Sequence, residues 1–193
     1  MRKIFGKVSN IAKISAYQLL VAKPQRDYNM VLMPNQNCQT SRSHQEPFSI
    51  QFAIFLPNKV GKLLELMNEF SSRKIKLAGF CVVNSTDWHV VRAVFYDPGK
   101  ARELLTRSNY AFSETPVLLV ELSDASVFES VCNHLLKAEI SIEYAFWLGH
   151  VTDFANVIAL SVEDQFLATQ ILIKHGFALL GMEDLKDPGR NSQ

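Results

Sequence analysis

Ser49-Ile50-Gln51-Phe52-Ala53-Ile54-Phe55-Leu56-Pro57-Asn58-Lys59-Val60-Gly61-Lys62-Leu63 opens a pattern that the chain states again from Val117 onward. The stretch reads as a strand with bulky residues on both faces, a Pro/Asn/Gly loop and the start of a helix. Phe52, Ile54 and Leu56 answer to Leu118, Val120 and Leu122, about 66 residues later. Leu63, Leu66, Phe70 and Ile75 answer to Phe128, Val131, Leu135 and Ile140, about 65 later, and Asp97, Ala101 and Leu105 to Asp164, Ala168 and Leu172, about 67 later. The second copy has lost roughly one residue in its first loop and gained roughly two in its central hairpin. An internal repeat decides architecture before any motif does.

Working outward, residues 48–115 predict strand, helix, strand, strand, helix, strand. The first helix carries Leu63, Leu66, Met67 and Phe70 on one side. Strands follow at 77–84 and 89–96, joined by Ser85-Thr86-Asp87. Asp97-Pro98 starts the second helix, because Asp caps free N–H groups and Pro suits the first helical position. A short fourth strand is expected at 111–115, with Pro116 marking the handover. Residues 116–185 repeat the order: a strand at 117–122, a helix capped by Asp124, a hairpin at 141–149 and 156–162, a helix capped by Asp164 and ending at Gly176, and a last strand at 177–182. Such a βαββαβ unit puts two helices on one face of a four-stranded antiparallel sheet, the ferredoxin-like plan. The fold class is therefore α+β. Two units of this size bury little surface alone, so they are expected to pair.

Residues 1–47 form a basic, polar extension with no counterpart in the repeat. Residues 1–46 hold seven Lys/Arg against Asp27 and Glu46. Ile4, Val8, Ile11 and Ala12 fit one side of a short helix, and the rest reads as linker. A loose tail, an organelle address, a membrane-surface helix and an extension upstream of a start at Met30 or Met33 all fit. Residues 186–193 read as a polar tail.

Composition narrows the function. The net charge is +1 and the repeats themselves are mildly acidic, so no nucleic-acid partner is expected. No apolar run approaches the roughly 20 residues of a membrane span, so no membrane partner is expected either. Cys38, Cys81 and Cys132 are odd in number and widely spaced, which reads as free thiols in a reducing, cytoplasmic setting. None of His44, His89, His134, His150 and His175 stands at metal-ligand spacing from another or from a cysteine. No phosphate loop, nucleophile elbow or zincin helix occurs. Neither a metal, a cofactor nor a catalytic role is expected. Glu139 with Glu143, and Glu163 with Asp164, read as edge charges and a helix cap. Phe80, Tyr144, Phe146 and Trp147 fall in the second strand of each unit and suit either a ligand seam or an interface.

The pattern resembles the ACT domains, and more closely small bacterial proteins made of two of them in tandem. The likeness rests on Phe55-Leu56-Pro57-Asn58-Lys59-Val60-Gly61-Lys62-Leu63, on the turn leading into Val90-Val91-Arg92, and on Asp97-Pro98-Gly99-Lys100-Ala101. In the second copy it rests on Val120-Glu121-Leu122-Ser123-Asp124 and Ile140-Ser141-Ile142-Glu143-Tyr144. It covers residues 48–185. It implies two ACT units paired side by side, a regulatory role, and an amino acid or similar small effector held at a seam between units. A homodimer and docking on an amino-acid biosynthetic enzyme, as acetolactate synthase small subunits do, are the partners it implies. The ligand would lie against Asn58, Lys59, Val60, Gly61, Lys62 and Leu63 in the first unit and Asp124, Ala125 and Ser126 in the second, with the strands at 77–83 and 142–147 facing them. A glycine-bearing loop entering a helix offers free N–H groups to a carboxylate. The alternative is a plain strand-to-helix turn. Val60 stands where the family often has proline. The second loop is shorter, has no glycine, and puts the carboxylate of Asp124 where Asn58 stands in the first, so one site per chain is expected to dominate.

Overall fold

The computed structural model describes residues 47–84, 88–149 and 156–185. The basic extension up to Glu46, the Ser85-Thr86-Asp87 turn, His44, His150, Cys38 and the tail from Lys186 lie outside the described residues. The described elements are β1 (Ser49–Pro57), α1 (Lys62–Ser72), β2 (Leu77–Asn84), β3 (Trp88–Phe95), α2 (Pro98–Arg107), β4 (Ala111–Leu122), α3 (Ala125–Lys137), β5 (Ile142–Trp147), β6 (Asn156–Val162), α4 (Gln165–Lys174) and β7 (Leu179–Leu180), followed by a short 3-10 turn at Met182–Asp184. This is an α+β fold with one antiparallel sheet in the order β2-β3-β1-β4-β6-β5, β7 also pairing with β4.

The expected fourth and fifth strands are one. Residues 111–117 of β4 pair with β1, and residues 118–122 pair with β6 and, at Leu119 and Val120, with β7. Pro116 does not break the strand, because its fixed φ is compatible with extended backbone. It lies opposite Ile50, next to the last β1 pair, Ser49 with Val117, so its missing N–H falls where the strand changes partners. Its carbonyl accepts a hydrogen bond from the Gln165 side chain.

The strand expected over 177–182 is also shorter. Only Leu179 and Leu180 pair with β4. Gly181 N–H then donates to the Asp184 carboxylate at 2.7 Å, and Met182 N–H donates to the Phe48 carbonyl at 3.2 Å. A side-chain acceptor and a turn replace the ladder there.

Three apolar clusters hold the chain. Under α1 and α2, Phe52, Ile54, Leu56, Leu66, Phe70, Val91, Phe95 and Leu105 pack together. The Phe95 ring meets Phe52 at 5.3 Å and Phe70 at 5.1 Å, both edge-on, a geometry adding about 0.5–1.5 kcal/mol per pair beyond burial. Under α3 and α4 the matching positions Leu118, Val120, Leu122, Val131, Leu135, Leu160 and Leu172 form the second cluster. The third lies on the opposite sheet face and draws on both halves: Ala78 and Val94 with Phe146, Leu148, Val157 and Ala159. The sheet curls so that its two ends meet there, and Gly149 N–H donates to the Ala78 carbonyl at 2.7 Å.

Candidate functional site

The first loop links β1 to α1. Lys59 N–H donates back to the Pro57 carbonyl at 2.7 Å, and Lys62 N–H to the Lys59 carbonyl at 3.2 Å. Gly61 stands at the helix N-cap with φ 89°, in the left-handed region, and no side chain caps the helix. A Cβ on Gly61 would meet no atom within 4 Å. Glycine is needed here for its backbone conformation, not for room. Asn58, Lys59 and Val60 are exposed. Asn58 reaches the end of β2, its Nδ2 donating to Asn84 Oδ1 at 3.4 Å. Lys62 pairs with Glu65, and Leu63 turns inward against the first cluster.

The second loop is built differently. Asp124 caps α3: its carboxylate accepts from Ser126 N–H at 2.7 Å, Val127 N–H at 3.3 Å and the Ser123 hydroxyl at 3.1 Å. The Ser126 hydroxyl and these backbone donors hold the Asp124 carboxyl below the usual carboxylate range. The helix-start donors that a ligand carboxylate would use are thus occupied by this chain's own carboxylate. Ala125 and Ser126 are exposed beside it. The other two helices are likewise capped, α2 by Asp97 on Lys100 N–H and α4 by Asp164 on Leu167 N–H, each at 3.0 Å.

The fold keeps the two loops apart. Phe55 pairs with Ala111 at the start of β4, whereas Asp124 follows its end. A strand of 12 residues separates them by roughly 35–40 Å along its length. They are two places, not one.

The strands expected to face the loops form the two ends of the sheet. Phe80, Val82, Val83 and Trp147 are exposed there. Phe146 is buried in the third cluster, and Tyr144 lies beside it with the Arg92 guanidinium 3.7 Å from its ring centre. Cys81 and Cys132 are free. Burial pushes both thiols up, in Cys81 against an opposing pull from Arg92, so neither is primed as a nucleophile. The His134 and His175 rings meet at 4.2 Å, tilted by 51°, a pair the sequence did not signal because one lies on α3 and the other just past the end of α4. Each Nδ1 donates to a carbonyl one helical turn back, Ser130 and Ile171 respectively, at 2.8 Å. Among the described residues no group of three or more His, Cys, Asp or Glu could hold a metal, and no helix is long and apolar enough to cross a membrane. A shallow cavity of about 200 Å³ between Arg73, Lys100 and Arg107 lies away from both loops. Two of its cations are already paired, Lys100 with Asp97 and Arg107 with Glu103.

No protein-family model matches the chain, and no curated protein matches it. Solved structures do. The chain is similar to protein BT0572 from Bacteroides thetaiotaomicron, with 23% identity over 72% of this chain and 95% of that one and a TM-score of 0.66. This likeness shows a shared fold. Looser matches include aspartokinase alpha and beta subunits (17% identity, 66% of this chain and 95% of that one, TM-score 0.43) and the ligand-free regulatory subunit of aspartate kinase from Thermus thermophilus (13%, 66% and 91%, TM-score 0.45). Their overlap is too loose to carry argument.

Proposed function

We propose that the chain is a pair of ACT units, residues 48–115 and 116–185, acting as a non-catalytic regulatory protein that binds a free amino acid at its first loop. The observation that carries this reading is the contrast among helix starts. Asp97, Asp124 and Asp164 cap three helices, while α1 begins at a left-handed glycine with no side-chain cap. An uncapped first turn combines free N–H groups with the positive end of the helix dipole and suits a carboxylate. Asn58 adds a carboxamide at the loop edge. The strand order supports the two-unit reading: β4-β1-β3-β2 in one half and β7-β4-β6-β5 in the other follow the same plan, with β4 shared.

The effector would report to a partner. The apolar edges at Phe80, Val82, Val83 and Trp147 suit a second copy of this chain, since exposed apolar edge strands favour pairing. A thermal-shift screen of the twenty amino acids tests the reading, because a ligand that binds only the native state raises Tm. A concentration-dependent rise with one or a few of them is expected. No rise with any of them would remove the sensor reading and favour a subunit that docks on a biosynthetic enzyme.

A further inference from the structure

The sheet face away from the helices carries polar side chains where an apolar core would be simplest. Ser49 and Gln51 of β1 are both 0% exposed. The Ser49 hydroxyl, both ends of the Gln51 carboxamide and the Arg92 Nε–H have no hydrogen-bond partner among the described residues. Turning the amide over changes nothing, since oxygen and nitrogen are alike unpartnered. Buried polar groups are nearly always satisfied, and each exception calls for a physical account.

Gln51 lies between the other two on one face of the sheet. Gln51 stands opposite Val94, and Arg92 opposite Ala53, so Gln51 and Arg92 are diagonal neighbours about 7–8 Å apart at the backbone. Val94 belongs to the third cluster, which fixes the face. Ser49 follows on it two residues earlier, opposite Val117 of the same cluster. Arg92 is pinned over the Tyr144 ring at 3.7 Å. Both are only half-buried. Next to Tyr144, the Glu143 carboxylate accepts from the Ser161 hydroxyl at 3.0 Å.

We infer that Ser49, Gln51 and Arg92 form a second binding site, for a small molecule bearing both a carboxylate and an amino group. Two unused donors, Gln51 Nε2 and Arg92 Nε, suit a carboxylate, and the Ser49 hydroxyl lies one same-face position further along β1. The unused acceptor Gln51 Oε1 suits an ammonium, and the Glu143 carboxylate adds negative charge on the Tyr144 side. A simple anion would leave Gln51 Oε1 unpaired, and a simple amine would leave the donors unpaired. The site is distinct from the first loop and does not depend on it.

The test is NMR on the full chain labelled with 15N, with the twenty amino acids added singly. The Gln51 side-chain NH2 signal, identified by its loss in Gln51→Leu, reports the inner site, and the Gly61 backbone amide reports the loop. At least one amino acid is expected to shift the Gln51 signal, with affinity falling about tenfold or more in Gln51→Leu and in Arg92→Met. If Gln51→Leu does not fold, Ser49→Ala supplies the comparison, and the Gln51 signal is assigned through the backbone. If every amino acid that binds shifts Gly61 alone, this site is overturned and the loop reading stands. If every one that binds shifts Gln51 alone, the reverse holds. No shift at Gln51 with any of them, or equal affinity in wild type and variants, overturns the inference.

Discussion

Gly79 of β2 and Leu148, just past β5, touch where the two ends of the sheet meet. A Cβ on Gly79 would lie 2.6 Å from Leu148 Cδ2, 2.7 Å from Leu148 Cα and 2.9 Å from the Trp147 carbonyl oxygen. Two of those three atoms are backbone, so the neighbour cannot yield by rotating a side chain. Gly79→Ala is expected to destabilise the chain by about 1–3 kcal/mol, the usual cost of overpacking. Urea denaturation checks it; an unchanged midpoint would mean that the sheet ends are not closed in solution.

The helix ends carry a different prediction. After each of the four described helices one residue takes positive φ: Lys74, Asn109 and Glu139 at 55–56°, and Gly176 at 79°. In every case the next amide donates back five residues into the helix: Ile75 to Phe70, Tyr110 to Leu105, Ile140 to Leu135 and Phe177 to Leu172. This is the Schellman arrangement, in which glycine avoids the clash that a Cβ suffers. Glu139→Gly is expected to raise stability by a few tenths to about 1 kcal/mol, because relief of the left-handed conformation outweighs the added freedom of the unfolded chain. A Tm that falls would show that the Glu139 side chain contributes more than its backbone costs.

Tyr110 gives a pH dependence. Its phenol is pushed up to about 12, first by burial and then by the Glu69 carboxylate, to which its hydroxyl donates at 3.0 Å. The folded state therefore holds this proton more tightly than the unfolded state. The stabilisation is complete below the ordinary phenol range near 10 and is lost as pH rises through about 12. Denaturation midpoints of wild type and Tyr110→Phe should draw together across that window. Parallel curves between about pH 10 and about pH 12 would contradict the assignment.

What the sequence made legible was the repeat and the starts of elements. Alternating and continuous apolar runs marked β1, β2 and β6 to within a residue, and Asp97, Asp124 and Asp164 announced their helices because a capping carboxylate has one local job. Gly176 marked a helix stop by its residue type, whereas Lys74, Asn109 and Glu139 reach the same backbone state without glycine. Pro116 read as a break, because partner-switching along one strand is a tertiary event that leaves no local mark. Gly79 passed as an ordinary strand residue for the same reason: Leu148 is far away in sequence. The first loop was picked out by Gly61 and the cap at Asp124 was legible, but the lack of any side-chain cap on α1 emerged only from the structure. The inner cluster of Ser49, Gln51 and Arg92 was not visible, because its members come from different strands.

The central claim, that the first loop binds an amino acid and the second does not, is tested most directly by isothermal titration calorimetry. The titrant is the amino acid that raises Tm most. The proteins are wild type, Gly61→Val, Asn58→Ala and Ser126→Val, each shown to be folded by circular dichroism. Valine resists the left-handed φ of 89° at position 61, so Gly61→Val should abolish binding. Asn58→Ala should weaken it by about 1–3 kcal/mol, the range for losing one hydrogen bond to a charged group. Ser126→Val leaves the Asp124 cap on its backbone donors and should bind as wild type does. Wild-type affinity in Gly61→Val, or a loss in Ser126→Val as large as in Gly61→Val, would contradict the account.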